Sequence, residues 1–374
     1  MRTRLLLVLI VALSCTLAWP EQPPSGNPQA GGPAAGGPWK FAVAGDSRNC
    51  GNMVMPAIAA SARRENAQFY WHLGDFRAIY DFDEDFLAES QYSGKRPRIL
   101  AYEQVAWDDF IAHQLRPFGD IPVFLGIGNH ETVPPKDRAQ FVIQFADWLD
   151  SPVLRQQRLA DDPGDHKLKT YYHWQQGGVD FINLDNASPE QFDSAQMAWL
   201  ERVLAADAQP RSGVSTIVAG MHEALPDSLT AAHSMNNSPA AEQSGRRAYE
   251  LLLAQQRSGK RVYVVASHSH FFMDGIFNTE ALQQRDAVLP GWIIGNAGAV
   301  RRPLPDNAGR ARAAATNVYG YLLATVNPPG QPLGTVAFQF KEVARKDISA
   351  TIVSEFSEPL VRFCFDENSE APRK

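Results

Sequence analysis

The sequence predicts an α/β protein built as a two-sheet mixed β-sandwich flanked by helices, and three observations carry that expectation. Five short apolar runs, at residues 41–46, 70–75, 123–130, 216–222 and 262–270, each end in Asp, Asn or His. Uninterrupted runs of this length read as buried, largely parallel strands. Helical patterns separate most of them, which is the alternation of βαβ units with right-handed crossovers. Finally, a hairpin pattern and several late β-rich runs have no helix between them, so they call for antiparallel pairing.

Taken in order, the pattern gives a strand at 40–46, a helix near 53–65, a strand at 68–74 and helices between 82 and 116. A strand at 121–127 and a helix near 136–149 follow. Residues 171–185 then form two β-rich runs that turn at Gly177-Gly178, a hairpin that starts a second sheet region. Helices near 189–207 and 239–258 flank the strands that carry His222 and His268. The runs at Trp292 to Gly295, Tyr319 to Val326, Thr335 to Phe340 and Leu360 to Phe365 are expected to form an antiparallel sheet packed on the first. Trp107, Trp148 and Trp199 sit among apolar neighbours in helical patterns and read as core.

At 374 residues with 44% hydrophobic residues, the chain is long enough for a substantial core. The formal net charge of -6 argues against sequence-independent nucleic-acid binding, which needs a basic face, and no sequence-specific nucleic-acid partner is expected. A small phosphoester substrate is compatible with that charge.

Met1-Arg2-Thr3-Arg4 followed by apolar residues 5–13 has the charged start and short apolar core of a secretory signal, with cleavage after Ala18. The core is too short to span a bilayer, so no transmembrane span is expected in the mature chain. Export to the periplasm or outside the cell follows. Acylation of Cys15 as a lipid anchor is the less favoured alternative, because Leu13 stands where such motifs carry a small residue. Residues 19–38 are a Pro/Gly-rich linker, 39–366 the folded domain and 367–374 a frayed polar tail. Cys50 and Cys364 are either joined, as an oxidising compartment permits, or two separate buried thiols.

Ligands of open α/β sheets bind outside the carboxyl ends of strands, so oxygen and nitrogen donors gathered on one sheet edge point to a metal-dependent site. Each donor alone has a plainer reading. Asp46 and Asp75 could cap helices, Asn129 and His130 could satisfy a turn, and His222, His268 and His270 could be ordinary histidines.

Gly45-Asp46-Ser47-Arg48, Gly74-Asp75, Gly128-Asn129-His130-Glu131, His222 and Ser267-His268-Ser269-His270 resemble, in order, the five motifs of the calcineurin-like metallophosphoesterases. The resemblance runs from about residue 40 to 300. It implies a dinuclear centre in which Asn129, His222 and His268 bind one metal, Asp46 and His270 the other, and Asp75 bridges the two. The ions would be Mn, Fe, Zn or Co, and a hydroxide between them would attack phosphorus. His130 would contact phosphoryl oxygens or protonate the leaving group. The period of an extended segment supports the carry-over, since residues two apart, as His268 and His270 are, share a face.

Arg48 departs from the family pattern, which has Asp-x-His there. A guanidinium cannot ligate a cation, so the first metal is weaker, completed by another residue or absent. Arg48 could instead grip the substrate phosphate. Purple acid phosphatases, which also lack that His, use a Tyr three residues after the bridging Asp, but this chain has Ala78 there, and Tyr80 is at the wrong offset. The alternative to an enzyme is a metal-impaired homologue that binds a ligand or partner without turnover. Gly295 to Ala299 resembles the family's glycine-rich closing turn, and Arg301 and Arg302 read as a solvated basic pair. His72, His113, His166, His173 and His233 match no motif and are left structural or solvent-exposed.

Overall fold

In the computed structural model, which describes residues 36–89, 97–187 and 191–370, the chain begins with three parallel strands. The signal segment 1–18, Cys15, linker residues 19–35 and tail residues 371–374 lie outside the described residues. β1 (Trp39–Ala44) pairs with β2 (Ala67–His72), and β2 with β3 (Val123–Leu125). Helix Gly51–Arg64 makes the first crossover and helix Ile99–Phe110 lies in the second. A hairpin, β4 (Tyr172–Gln176) and β5 (Val179–Asn183), starts the second sheet. Its turn residues Gly177 (φ 58°) and Gly178 (φ 81°) are both left-handed, as a tight two-residue hairpin turn requires.

The second sheet continues through β6 (Thr216–Gly220) and β7 (Arg261–Ala266), both parallel to β5. Beyond them come β8 (Phe272–Asp274), β9 (Gly291–Ile294) and β10 (Ala313–Ala315), and the chain then returns to the first sheet as β11 (Tyr319–Val326) and β12 (Val336–Val343). The two sheets have the orders β12-β11-β1-β2-β3 and β10-β8-β9-β7-β6-β5-β4.

The expected mixed two-sheet architecture is therefore present, with three corrections. The strand ends belong to two sheets rather than one edge: β1, β2 and β3 supply one set, β6 and β7 the other. The late strands β11 and β12 are antiparallel but extend the first sheet beside β1 rather than forming a sheet packed on it, and the Trp292 run is not among them, because β9 pairs in parallel with β7 inside the second sheet. Residues 360–365 are helical rather than extended. Leu360, Val361 and Cys364 are the buried positions there, a helical spacing that a short apolar run hides.

The sheets face each other across an aromatic layer. Phe41 and Phe69 from the first sheet meet Phe181 from the second with ring centroids 5.1 Å apart in both pairs, and Phe124 stacks on Trp174 at 3.9 Å. Fully burying an aromatic of this size contributes roughly 1.5–3 kcal/mol, so the layer is a large share of the stability. A polar tie crosses it, since Trp71 Nε1 donates to Asn183 Oδ1 at 3.0 Å. Of the three tryptophans read as core, Trp107 is buried, while Trp148 and Trp199 are partly buried against apolar clusters. No helix among the described residues is long and apolar enough to cross a membrane.

The C-terminal helices fold back over the start of the domain. Cys50 and Cys364 form a disulfide that closes a sequence separation of 314 residues. Within the polar C-terminal segment Asn368 is buried, and its side-chain amide donates to Tyr319 Oη at 2.7 Å and accepts from Asn49 at 2.6 Å.

Two expectations follow. Replacing both cysteines, Cys50→Ser with Cys364→Ser, should lower stability by roughly 2–5 kcal/mol, because the cross-link restricts the unfolded chain. Urea unfolding of the oxidised protein against the double variant measures it. The second concerns His173, which lies between Asp180 (2.8 Å) and Asp161 (2.6 Å). Burial opposes its charge, but the two carboxylates outweigh burial and lift it to about 10. A pKa raised above the unfolded value near 6.5 gives stability that is complete below about pH 6.5 and is lost as pH rises through about 10. The urea midpoints of wild type and His173→Gln should therefore differ most at pH 6 and converge above pH 10.

Candidate metal centre

Four of the expected ligands share an uncommon backbone state. Asp46, Asp75, His268 and His270 have φ of 57°, 60°, 66° and 50°, each on the loop that leaves a strand. Left-handed residues other than glycine are uncommon and strained, and a cluster of them at strand ends marks a place where side-chain direction has been bought at the expense of backbone comfort. None of the four begins a helix, and Cys50 rather than Asp46 precedes helix Gly51–Arg64. The capping alternative for the aspartates is thereby removed.

The loops brace one another. Asp46 N–H donates to Gly74 O at 2.9 Å and Ser47 N–H to Asp75 O at 3.0 Å, joining the ends of β1 and β2. His268 N–H donates to Asp46 Oδ2 at 2.6 Å, which ties in the second sheet. Glu131 clamps the third loop by accepting from Asp75 N and Gly128 N on Oε2 and from Phe76 N on Oε1, all at 2.8 Å. Burial and the charge of Asp75 push its carboxyl up to about 8, against the pull of these three donors. Glycine is required where the loops close. A Cβ on Gly128 would lie 2.3 Å from Asp75 Oδ1, and one on Gly295 would lie 2.6 Å from Asp46 Oδ2.

Beneath the loops, His72 accepts from Gly74 N–H on Nδ1 at 3.1 Å and faces Ser47 Oγ with Nε2 at 2.9 Å. Burial holds it neutral, with its pKa lowered to about 3. Arg77, wholly buried, pairs with Asp85 at 2.8 Å and contacts Asp109, and Asp85 also accepts from Asn52 N–H at 2.7 Å. These residues tie the segment after Asp75 to the start of the first helix.

The side chains meet with their lone pairs toward one another. His222 donates from Nδ1 to Leu73 O at 2.9 Å, which leaves Nε2 as an acceptor. That atom lies 3.0 Å from Asn129 Oδ1, 3.1 Å from His268 Nδ1 and 3.3 Å from Asp75 Oδ1. Four acceptors facing one another in a buried space call for a cation. His270 donates from Nδ1 to Val300 O at 2.7 Å, and its Nε2 lies 3.2 Å from Asp46 Oδ1. Asp46 Oδ1 and Asp75 Oδ2 are buried without hydrogen-bond partners. Asp75, His222 and His268 form one group with metal-ligand spacing, and Asp46, Asp75 and His270 another.

The electrostatics agree with the geometry. Burial opposes the charge on Asp75, yet His130, His222 and Arg48 hold it well below the usual carboxylate range. Burial also opposes charge on His222, but Asp75 and Asp46 override it and raise the imidazole to about 10. A histidine so avid for a proton marks a place of strong cation demand. Burial and the charge of His222 depress His268, while burial and Arg48 depress His270, so both keep neutral rings with one lone pair each. Carboxylate, amide and imidazole donors without thiolate suit first-row ions. The half built from Asp75, Asn129, His222 and His268 fits a metal with four protein donors.

The residues around the donors divide as follows. His130 donates from Nδ1 to Ala78 O at 2.7 Å and holds Nε2 at 3.6 Å from Asp75 Oδ2. Arg48 Nη2 is 3.2 Å from His270 Nε2 and its Nε 3.9 Å from Asp75 Oδ2. Tyr80, 60% exposed, lies against the His130 ring with centroids 5.0 Å apart. His233 stands beside His268 with ring centroids 5.4 Å apart, in the segment between β6 and the helix Pro239–Arg257, and the sequence offered no motif to find it. Arg301, expected on the surface, is buried and donates to Phe365 O and Asn368 O. Arg302 pairs with Glu370 at 3.0 Å.

With this geometry in hand, the likeness to known proteins is clear. The structure superimposes on purple acid phosphatase PPD1 from yellow lupin (Lupinus luteus) seeds with a TM-score of 0.55 at 13% identity, covering 92% of this chain and 58% of that one. This is the metallophosphoesterase fold. A second solved structure of the fold, that of PhoD, aligns with a TM-score of 0.50 at 16% identity over 84% of this chain and 73% of that one. The chain thus spans little more than half the length of the lupin protein. No family model and no curated protein matches it.

Above about pH 8, where the Glu131 carboxyl is ionised, Glu131→Gln should lower the melting temperature and loosen metal binding together. An amide turns an N–H toward one of three N–H donors, and each buried donor left unpaired costs about 1–3 kcal/mol. Calorimetric melts with and without Mn(II) measure this, and an unchanged melting temperature would contradict the clamp.

Proposed function

We propose that this protein hydrolyses phosphate esters at a metal centre lined by Asp46, Asp75, Asn129, His222, His268 and His270. The observation that carries the reading is the convergence of buried lone pairs at His222 Nε2, on a fold shared with a purple acid phosphatase and PhoD. Bound metal there supplies Lewis acidity toward phosphoryl oxygens and makes water acidic enough to serve as nucleophile near neutrality.

The chain's own groups do the rest. Asp75 lies between the two halves and orients donors on both sides, receiving the His130 N–H on Oδ1 at 3.0 Å. With Nδ1 occupied by Ala78 O, His130 turns Nε2 to the centre. Burial lowers its pKa against the pull of the Asp75 carboxylate, so Nε2 rests as an acceptor, and once it has taken up a proton it is placed to donate it to a leaving-group oxygen. Arg48 provides a fixed positive charge facing the same space. Tyr80, exposed beside His130, borders the side from which an ester group would approach. The signal-like N-terminus and the Cys50–Cys364 disulfide together support export to an oxidising compartment.

A binding protein without turnover is the second reading, favoured by the Arg48–His270 contact. The two readings separate in one assay. Metal-stripped protein titrated with Mn, Fe, Zn or Co should gain hydrolysis of generic mono- or diester phosphates. Asp75→Ala and His268→Ala should abolish it, and His130→Ala should lower kcat about 10²–10⁴-fold, the usual worth of a general acid. Metal uptake without turnover on either ester would select the binding protein.

A further inference from the structure

The two halves of the centre are unequal, and Arg48 is the reason. Asp75, Asn129, His222 and His268 gather four donor atoms with no permanently positive group among them. The other half has Asp46, Asp75 and His270 together with a guanidinium. Arg48 is only 12% exposed and turned inward, its Nη2 at 3.2 Å from His270 Nε2. His270 has spent Nδ1–H on Val300 O, so Nε2 carries its one lone pair. That pair cannot both accept from Arg48 and ligate a metal. Without it, an ion in this half would keep two carboxylates and face a permanent positive charge close by.

We propose that this chain holds a single metal ion, in the four-donor half, and that the Arg48 guanidinium stands in place of the second. The inference rests on the metal-centre reading above. Charge balance favours it: one divalent ion and one arginine against Asp46 and Asp75 leave the site net positive, as an anionic ester requires, whereas two ions beside the arginine crowd like charges into a buried space. Arg48 Nε is buried without a hydrogen-bond partner, and a phosphoryl oxygen would supply the acceptor it lacks. Arg48 is then the phosphate-gripping group of a mononuclear site, the role a second metal plays in a dinuclear one.

The test uses Mn(II) alone as the probe. Chelator-stripped protein is loaded with excess Mn(II), freed of unbound ion by gel filtration, and examined by elemental analysis and low-temperature electron paramagnetic resonance. The expected result is one ion per chain with the six-line signal of isolated Mn(II). Arg48→His, which supplies a ligand instead of a charge, should take up two ions and show an exchange-coupled signal. Arg48→Ala should keep one ion and bind inorganic phosphate at least tenfold more weakly in titration calorimetry. Two coupled ions in the wild type would overturn this proposal while leaving the metal-centre reading intact. No bound ion would overturn both, and undiminished phosphate affinity in Arg48→Ala would overturn the role given to the guanidinium.

Discussion

Everything in this structure answers to one electrostatic constraint: buried donor atoms from five loops are held facing each other, where only a cation or a proton on His222 can relieve them. Each buried acceptor left unpaired costs about 1–3 kcal/mol, and this site gathers several. Such an arrangement persists only where the surroundings leave no way out. The left-handed ligand residues, the glycines that admit no Cβ, the Glu131 clamp and the Arg77 pairs are the means by which escape is prevented. The stability offsetting this cost comes from elsewhere, chiefly the aromatic layer between the sheets.

Much of the fold and most of the centre could be read in the sequence, for identifiable reasons. A parallel strand buried on both faces is an unbroken apolar run, and a ligand that ends it breaks the run, so Asp46, Asp75, Asn129, His222 and His268 announce themselves by position. What the runs do not encode is which sheet each strand joins. Partnering depends on crossovers, so the split of the strand ends between two sheets, and the parallel place of β9, were not legible. The 360–365 segment misled because six apolar-rich residues fit either period, and only the disulfide and burial at Leu360, Val361 and Cys364 choose.

Side chains recruited from outside the motifs were the least legible part. His233 and Tyr80 border the centre through loops whose sequences have no regular period, and Arg301 is buried only because distant carbonyls at Phe365 and Asn368 turn toward it. A charged residue reads as surface until its partners are known. Arg48 was conspicuous as a departure from pattern, but its contact with His270, 222 residues away, belongs to the tertiary structure alone.

The last of the proposed metal donors in the chain is His270, yet the centre is not bounded there. Asn49, one residue after Arg48, is held by Asn368, and Cys50 by Cys364. A nascent chain carries every donor about a hundred residues before it carries the pieces that hold the first loop in place. The folded centre is therefore complete only once Cys364 and Asn368 are in place. Ligand capture and loop fixation are separated in synthesis, and the smallest fragment able to reproduce this site must extend through Asn368.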